Sequence, residues 1–332
     1  VKCTVCREPA VIDIRRHNAY FCSDHFLRLC RDQTAKAIKD HAMFGPDDRV
    51  LVAVSGGKDS LAVWDILLEL GYQADGFVIG LGIGDYSAAS TQHARDYAQT
   101  RGANLLEVNL PDEYGYDIPS GSKAARRTPC SACGLTKRHL FDKAAIDGGY
   151  DVVVTGHNLD DEAAVLFGNV LHWHTEYLGR QSPVLPARGG FPRKVKPLIR
   201  LGEREMAAYC VLRGIDYIVE ECPMAAGNRH LQYKESLNGV EANSPGAKFD
   251  FYHRFLTAAA PAFRVADEHD DLGSCARCGA PCSGEICAFC RLVERATTPQ
   301  PVQLGPRRRR GHAGIATTDT TNDRSTAEGH AP

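Results

Sequence analysis

Residues 49–60 constrain the fold more than any other segment. Arg49-Val50-Leu51-Val52-Ala53-Val54 is an almost wholly apolar run that passes straight into Ser55-Gly56-Gly57-Lys58-Asp59-Ser60. A run this apolar predicts a strand buried on both faces, as in a parallel sheet, feeding a glycine-rich turn. Alternation follows. Helices are expected near Ser60–Leu70 and over Ser87–Arg101, Gly134–Gly148, Asp160–Trp173 and Gly202–Arg213. Strands are expected near Ala74–Ile79, Asn104–Val108, Asp151–Thr155, Val195–Ile199 and Asp216–Val219. Repeated β-α units of this length predict an α/β fold with a doubly wound, mostly parallel sheet. Ligands of such sheets bind beyond the carboxyl ends of the strands.

The flanks read differently. Residues 1–30 are cysteine-rich, and a helix from Asp24 to about Met43, capped by Ser23 and ended by Gly45-Pro46, links them through 31–46 to the sheet domain at 47–220. A helical extension is expected at 221–270, a second cysteine module at 271–294 and a disordered tail at 295–332.

Lys and Arg total 39 against 41 Asp and Glu, which excludes a broadly cationic coat and restricts any nucleic-acid contact to local patches. No run approaches the roughly 18 apolar residues of a spanning helix, and VKCTVCREPA has no signal core, so no membrane association and a cytoplasmic setting are expected. Thirteen cysteines in such a chain point to metal ligation or redox chemistry rather than a disulfide framework.

Cys3-x2-Cys6 followed by Cys22-x2-His25 supplies three thiolates and an imidazole, the closed donor set of a structural zinc site. Cys275-x2-Cys278 and Cys287-x2-Cys290 form a second, all-sulfur set, with Cys282 spare. Cys30 and Cys210 fall in expected helices and read as small buried hydrophobes. Three cysteines remain. Cys130 and Cys133 precede the expected Gly134–Gly148 helix, and Cys222 follows the expected strand at 216–219. Spacing leaves two readings open: an iron–sulfur cluster with one iron free, or a Cys130/Cys133 redox pair with Cys222 buried.

Lys123, Arg126, Arg127, Lys137 and Arg138 crowd the same stretch, with no acid between Gly121 and Leu140, which points to a phosphate or RNA contact. Arg188, Arg193, Lys194, Lys196 and Arg200 form a second basic stretch with the same reading. Arg307–Arg310 in the tail reads as a nonspecific arm.

Ser55–Ser60 is not a Walker A loop, because Lys58 is followed by Asp59. It resembles the PP-loop of ATP-dependent adenylating enzymes. Thr155-Gly156-His157-Asn158-Leu159-Asp160-Asp161-Glu162-Ala163 resembles that family's second nucleotide-site motif, with Asn158 or Asp160 alternatively a helix cap. These motifs, Pro129-Cys130…Cys133-Gly134…Lys137-Arg138, Glu221-Cys222-Pro223 and the two cysteine modules occur in one order. That ordered set, over residues 1 to about 292, resembles the tRNA 2-thiouridine synthetases of the TtuA and NcsA type.

The resemblance implies ATP with Mg²⁺ at Ala53, Ser55, Gly56, Gly57, Lys58, Asp59, Ser60, Ile79, Gly156 and Asp161. It implies catalytic roles for Lys137 and Asp161, a [4Fe–4S] cluster on Cys130, Cys133 and Cys222, and zinc in both modules. It further implies adenylation of a tRNA uridine at the C2 oxygen, then replacement of that oxygen by sulfur. The partners implied are tRNA, a ubiquitin-like thiocarboxylated sulfur carrier or other sulfide donor, and a second copy of the chain. Uridine 54 and wobble uridine 34 both fit. Competing readings are a lysidine synthetase-like or amidating PP-loop ligase, a cytidine 2-thiolase, and a non-enzymatic zinc-ribbon RNA-binding protein.

Overall fold

The computed structural model describes residues 1–225, 227, 229–263 and 272–298; these fall within one compact unit, Val1–Pro299. The expected tail lies almost wholly outside the described residues.

The chain begins with a hairpin, β1 (Ile12–Ile14) and β2 (Ala19–Phe21), followed by α1 (Ser23–Asp40). The sheet domain then runs β3 (Val50–Val54), α2 (Lys58–Glu69), β4 (Ala74–Gly80), α3 (Gly84–Arg101), β5 (Leu105–Asn109), α4 (Leu110–Tyr114), α5 (Ile118–Ala124), α6 (Pro129–Gly148) and β6 (Val152–Thr155). It continues through α7 (Leu159–Leu171), α8 (Thr175–Arg180), β7 (Val184–Leu185), β8 (Arg193–Val195) and α9 (Glu203–Arg213). Next come α10 (Arg229–Asn243), α11 (Ala247–Arg254) and, after a π-helical turn, α12 (Ala260–Phe263). A second small hairpin, β9 (Gly273–Ser274) and β10 (Pro281–Cys282), leads into α13 (Ala288–Thr297).

The central sheet has the order β5-β4-β3-β6-β8-β7, parallel throughout except for the β7 edge. Alternation along the strands sorts side chains to two cores. Val50, Val52, Val54 and Trp64 belong to one; Leu51, Phe77, Ile79 and Val153 belong to the other. Ile12, Ile14, Phe26 and Cys30 join the first core, whereas Cys275, Cys287, Phe289 and Leu292 join the second. The two cysteine modules therefore dock on opposite faces of the sheet. Ion pairs Arg16–Glu205 (2.5 Å) and Arg204–Asp13 (2.5 Å) fasten the first; His139 stacking on Phe289 (4.1 Å between ring centroids) fastens the second to α6.

Four expectations need correction. Cys22, not Ser23, is the N-cap of α1, with no side-chain cap bond, because its thiol faces the other cysteines of the module. Helix α6 starts at Pro129, so Cys130 and Cys133 lie within its first turns; Thr128 caps it by accepting from the Ser131 N–H. The strand expected over Val195–Ile199 lies earlier, at Arg193–Val195, because it pairs with the unforeseen edge strand Val184–Leu185. Residues 216–219 form no strand; this segment instead donates the Ile218 N–H to the Gly56 carbonyl (3.0 Å), tying it to the glycine-rich turn. No described helix is long and apolar enough to cross a membrane.

Candidate active site

Strand β3 ends against the turn that opens α2. There Gly56 has φ +72°, and a Cβ would sit 2.1 Å from the Ser90 carbonyl oxygen, so only glycine fits. Ser90 Oγ donates to the Ser55 carbonyl (2.5 Å), and the Ser60 hydroxyl receives the Ser55 N–H (3.1 Å). From the neighbouring strand end, Gly156 packs so closely that a Cβ would lie 2.8 Å from Asp59 C and Ser60 N. Asn158 caps α7 and closes a capping box with Asp161, and its amide also donates to Asp59 Oδ1 (2.9 Å). The cap is thus Asn158 rather than Asp160; Asp161 Oδ2 accepts the Asn158 N–H (3.1 Å), and Asp161 Oδ1 faces Lys234 (2.7 Å).

These turns surround a cavity of about 310 Å³ at the carboxyl edge of the sheet. Ala53, Ser55, Asp59, Ser60, Ile79, Gly156 and Asp161, anticipated for the nucleotide, line it with Lys137, anticipated as catalytic; Tyr86, Ser90, Phe141 and His157 are among the other lining residues. Gly56 and Gly57 shape the turn from behind. Lys58 departs from expectation, since its ammonium is not at the wall but 2.7 Å from Glu203 and 3.2 Å from Asp59. Burial opposes its charge, but Asp59 and Glu203 outweigh that and raise its pKa.

Sequence reasoning missed the rest of this network. Lys234 on α10 lies 2.7 Å from Asp161 and 3.2 Å from Glu203. Lys248 on α11 pairs with Asp160, whose other oxygen receives the Glu203 N–H (2.8 Å). No local motif announces such pairs, because each joins elements far apart in sequence.

The thiol trio converges beside the cavity. Burial pushes the Cys133 thiol up, Lys137 pulls it down, and the nearby Cys222 and Cys130 add to the rise. Tyr86, on the cavity wall, feels both Cys222 and Cys133, and Cys130 Sγ lies 3.6 Å from the Met224 carbonyl oxygen. All thirteen cysteines are free thiols. Among the described residues, this trio does not form a compact single-ion donor set.

The other two sets are tighter. Cys3, Cys6, Cys22 and His25 place their donor atoms within 4.8 Å of one another, as do Cys275, Cys278, Cys287 and Cys290. Cys6 and Cys22 sulfurs stand 3.7 Å apart and those of Cys278 and Cys287 3.8 Å. Zinc–sulfur bonds of about 2.3 Å give a tetrahedron with edges of about 3.8 Å. Both sets fit zinc. Cys282 lies outside its set, donating to the Gly284 carbonyl, and Cys30 and Cys210 are fully buried, as anticipated.

The basic stretches separate. Lys123, Arg126, Arg127 and Arg138 are exposed. Four of the five residues of the second stretch are spent internally: Lys194 pairs with Asp142 (2.7 Å), Lys196 with buried Glu162 (2.8 Å), Arg193 donates to the Met43 carbonyl, and Arg200 bonds Gln33 and overlies Phe249. The acids that neutralise it come from distant elements, so the sequence stretch looked cationic and the folded surface is not.

A family model described as "2-thiouridine synthetase TtuA, N-terminal LIM domain" matches residues 2–27. The chain is 47% identical over 313 residues to the tRNA-5-methyluridine(54) 2-sulfurtransferase of Thermus thermophilus, covering 92% of this chain and 97% of that protein. The chain belongs to the tRNA-5-methyluridine(54) 2-sulfurtransferase family. The enzyme of the same name from Pyrococcus horikoshii is 43% identical, over 88% of this chain and 93% of its own length. Among solved structures, the U34-tRNA thiolase NcsA from Methanococcus maripaludis with its [4Fe-4S] cluster superposes with a TM-score of 0.74 at 21% identity, covering 90% of this chain and 97% of that one. That likeness shows that the two chains share one fold.

Proposed function

We propose that the chain is an ATP-dependent tRNA 2-sulfurtransferase acting on 5-methyluridine 54. Its family membership supplies the reaction; the cavity at Ser55–Ser60, faced by Lys137 and Asp161 and adjoining three free thiols, is the observation that carries the assignment to residues.

ATP binds with its phosphates on the backbone N–H groups and hydroxyls of Ser55–Ser60, at the positive end of α2. Asp161 holds Mg²⁺. The uridine C2 oxygen attacks the α-phosphorus, the α–β bond breaks, and pyrophosphate leaves. Lys137 stabilises the charge that develops on the transferring phosphoryl group. A sulfur nucleophile then adds at C2, the C2–O bond breaks, and AMP leaves with the former oxygen. Cys130, Cys133 and Cys222 would hold a [4Fe–4S] cluster, which when bound would supply an iron open to sulfide. Lys137 also lowers the cost of negative charge at Cys133.

The modules at 1–30 and 271–294 hold structural zinc and brace the catalytic unit at 47–220 from its two faces. Sulfide comes from a ubiquitin-like thiocarboxylated carrier or another donor, and a cytoplasmic homodimer is the working form. The test is anaerobic turnover with unmodified tRNA, ATP and sulfide. The expected result is AMP, pyrophosphate and 2-thio-5-methyluridine in equal amounts, with Lys137→Ala slowing formation of all three by about 10²–10³-fold. Lysine-dependent AMP formation with no thiolated nucleoside would instead favour the lysidine synthetase-like reading.

A further inference from the structure

A second and larger cavity, about 750 Å³, opens at Cys130 and shares no lining residue with the nucleotide cavity. One wall is the start of α6, Thr128, Pro129 and Cys130. The opposite wall carries a series of rings. His172 Nε2 lies 3.2 Å from the Tyr233 hydroxyl, the His172 and His174 rings stack at 5.4 Å between centroids, and Tyr177 sits 5.6 Å from His174.

Between the lining residues His172 and His174 stands Trp173, 68% exposed with φ +48°. A bulky residue rarely adopts that left-handed backbone, and here no core packing accounts for the indole. Tyr177 is 59% exposed. The segment that leads into the α6 wall carries the exposed cations Lys123, Arg126 and Arg127, in a stretch without acids. Aromatic rings on one wall, an exposed thiol at Cys130 and a run of cations next to it in the chain match the chemistry of unpaired RNA. Bases splayed from a loop stack on rings while their phosphates follow the cations.

We infer that this cavity is the entrance for an unpaired segment of the tRNA, with bases stacked on Trp173, His174 and Tyr177 and phosphates along Lys123, Arg126 and Arg127. The inference rests on the functional reading above, to which it adds the substrate-binding surface. Arg229, at the cavity rim, extends the cationic strip from the other side.

The chain offers its own probe, since it has two tryptophans and Trp64 is fully buried. In the anaerobically prepared holoprotein, unmodified tRNA is expected to shield Trp173 from acrylamide. Trp173→Ala should weaken tRNA binding by about 5- to 150-fold, the loss of one stacked base, with the slope of log K against log salt unchanged. Trp173→Phe should restore most of the affinity. Replacing Arg126 and Arg127 together by Gln should instead flatten the salt slope, by about 0.7 for each lost phosphate contact. Wild-type tRNA affinity in both Trp173→Ala and His174→Ala would overturn the inference. If, with affinity intact, Trp173→Ala loses thiolation with a carrier protein but not with free sulfide, the surface belongs to a protein instead. A wild-type holoprotein that neither binds nor thiolates tRNA strikes at the functional reading itself.

Discussion

Lys234 and Asp161 form a 2.7 Å ion pair that joins the middle of α10 to the first turn of α7. Burial acts against the lysine charge, but Asp161 and Glu203 outweigh it and hold the ammonium protonated well above its usual range. The helical extension is therefore wired into the nucleotide site. Lys234→Met leaves Asp161 and Glu203 without their shared counter-charge. Single-turnover AMP formation is expected to slow about 10- to 100-fold, in line with the loss of a charge-assisted bond. An unchanged rate would make the pair incidental to the reaction.

Gly156→Ala tests the packing of the two turns. The added Cβ meets backbone atoms of Asp59 and Ser60 at 2.8 Å, and backbone cannot swing aside as a side chain could. Overpacking of this kind costs about 1–3 kcal/mol. Calorimetric ATP affinity should fall at least about tenfold, and the urea midpoint should drop.

Much of this site was legible in the sequence, for a physical reason. An anion site at a strand end needs consecutive small and hydroxylic residues, so Ser55–Ser60 and Gly156–Asp161 are compact strings. The two metal-type donor sets are legible likewise, because each knuckle must place two donors on one turn. Lys234, Glu203 and Lys248 were not legible, since an ion pair between distant elements demands only a charge at each end. The same blindness made Lys194 and Lys196 look like RNA contacts when Asp142 and Glu162 already neutralise them. The short β7–β8 hairpin escaped notice because two- and three-residue strands carry no periodicity.

Asp59 predicts a pH signature. Burial raises its pKa from the ordinary 3.8, with the Asp161 charge adding to the rise and Lys58 opposing it. The folded state therefore binds this proton more tightly than the unfolded chain, and stability falls as pH rises from the ordinary to the raised value. Asp59→Asn removes that penalty while keeping an acceptor for Asn158. The variant should gain thermal stability relative to wild type at pH 7, and the gain should shrink as pH falls through the raised value. Its ATP affinity should drop. A stability difference that does not vary with pH contradicts this account of the carboxyl.

Zinc content checks the two modules separately. Cys6→Ser and Cys278→Ser should each lose one of two zinc ions, measured by elemental analysis. Cys6→Ser should loosen the face of the sheet that holds Trp64, and Cys278→Ser the face that holds Phe289, seen as faster amide exchange near each. Cys282→Ser should keep both ions, since Cys282 lies outside its ligand set.

The central claim is that Cys130, Cys133 and Cys222 act as one sulfur-transfer centre beside the nucleotide cavity. The direct measurement is anaerobic reconstitution of Cys222→Ala with iron and sulfide, followed by iron, zinc and thiolated-nucleoside assays on one sample. Loss of iron and of thiolation, with zinc and ATP binding retained, is the predicted result. A Cys222→Ala protein that keeps both its iron and full thiolation activity contradicts the three-cysteine centre.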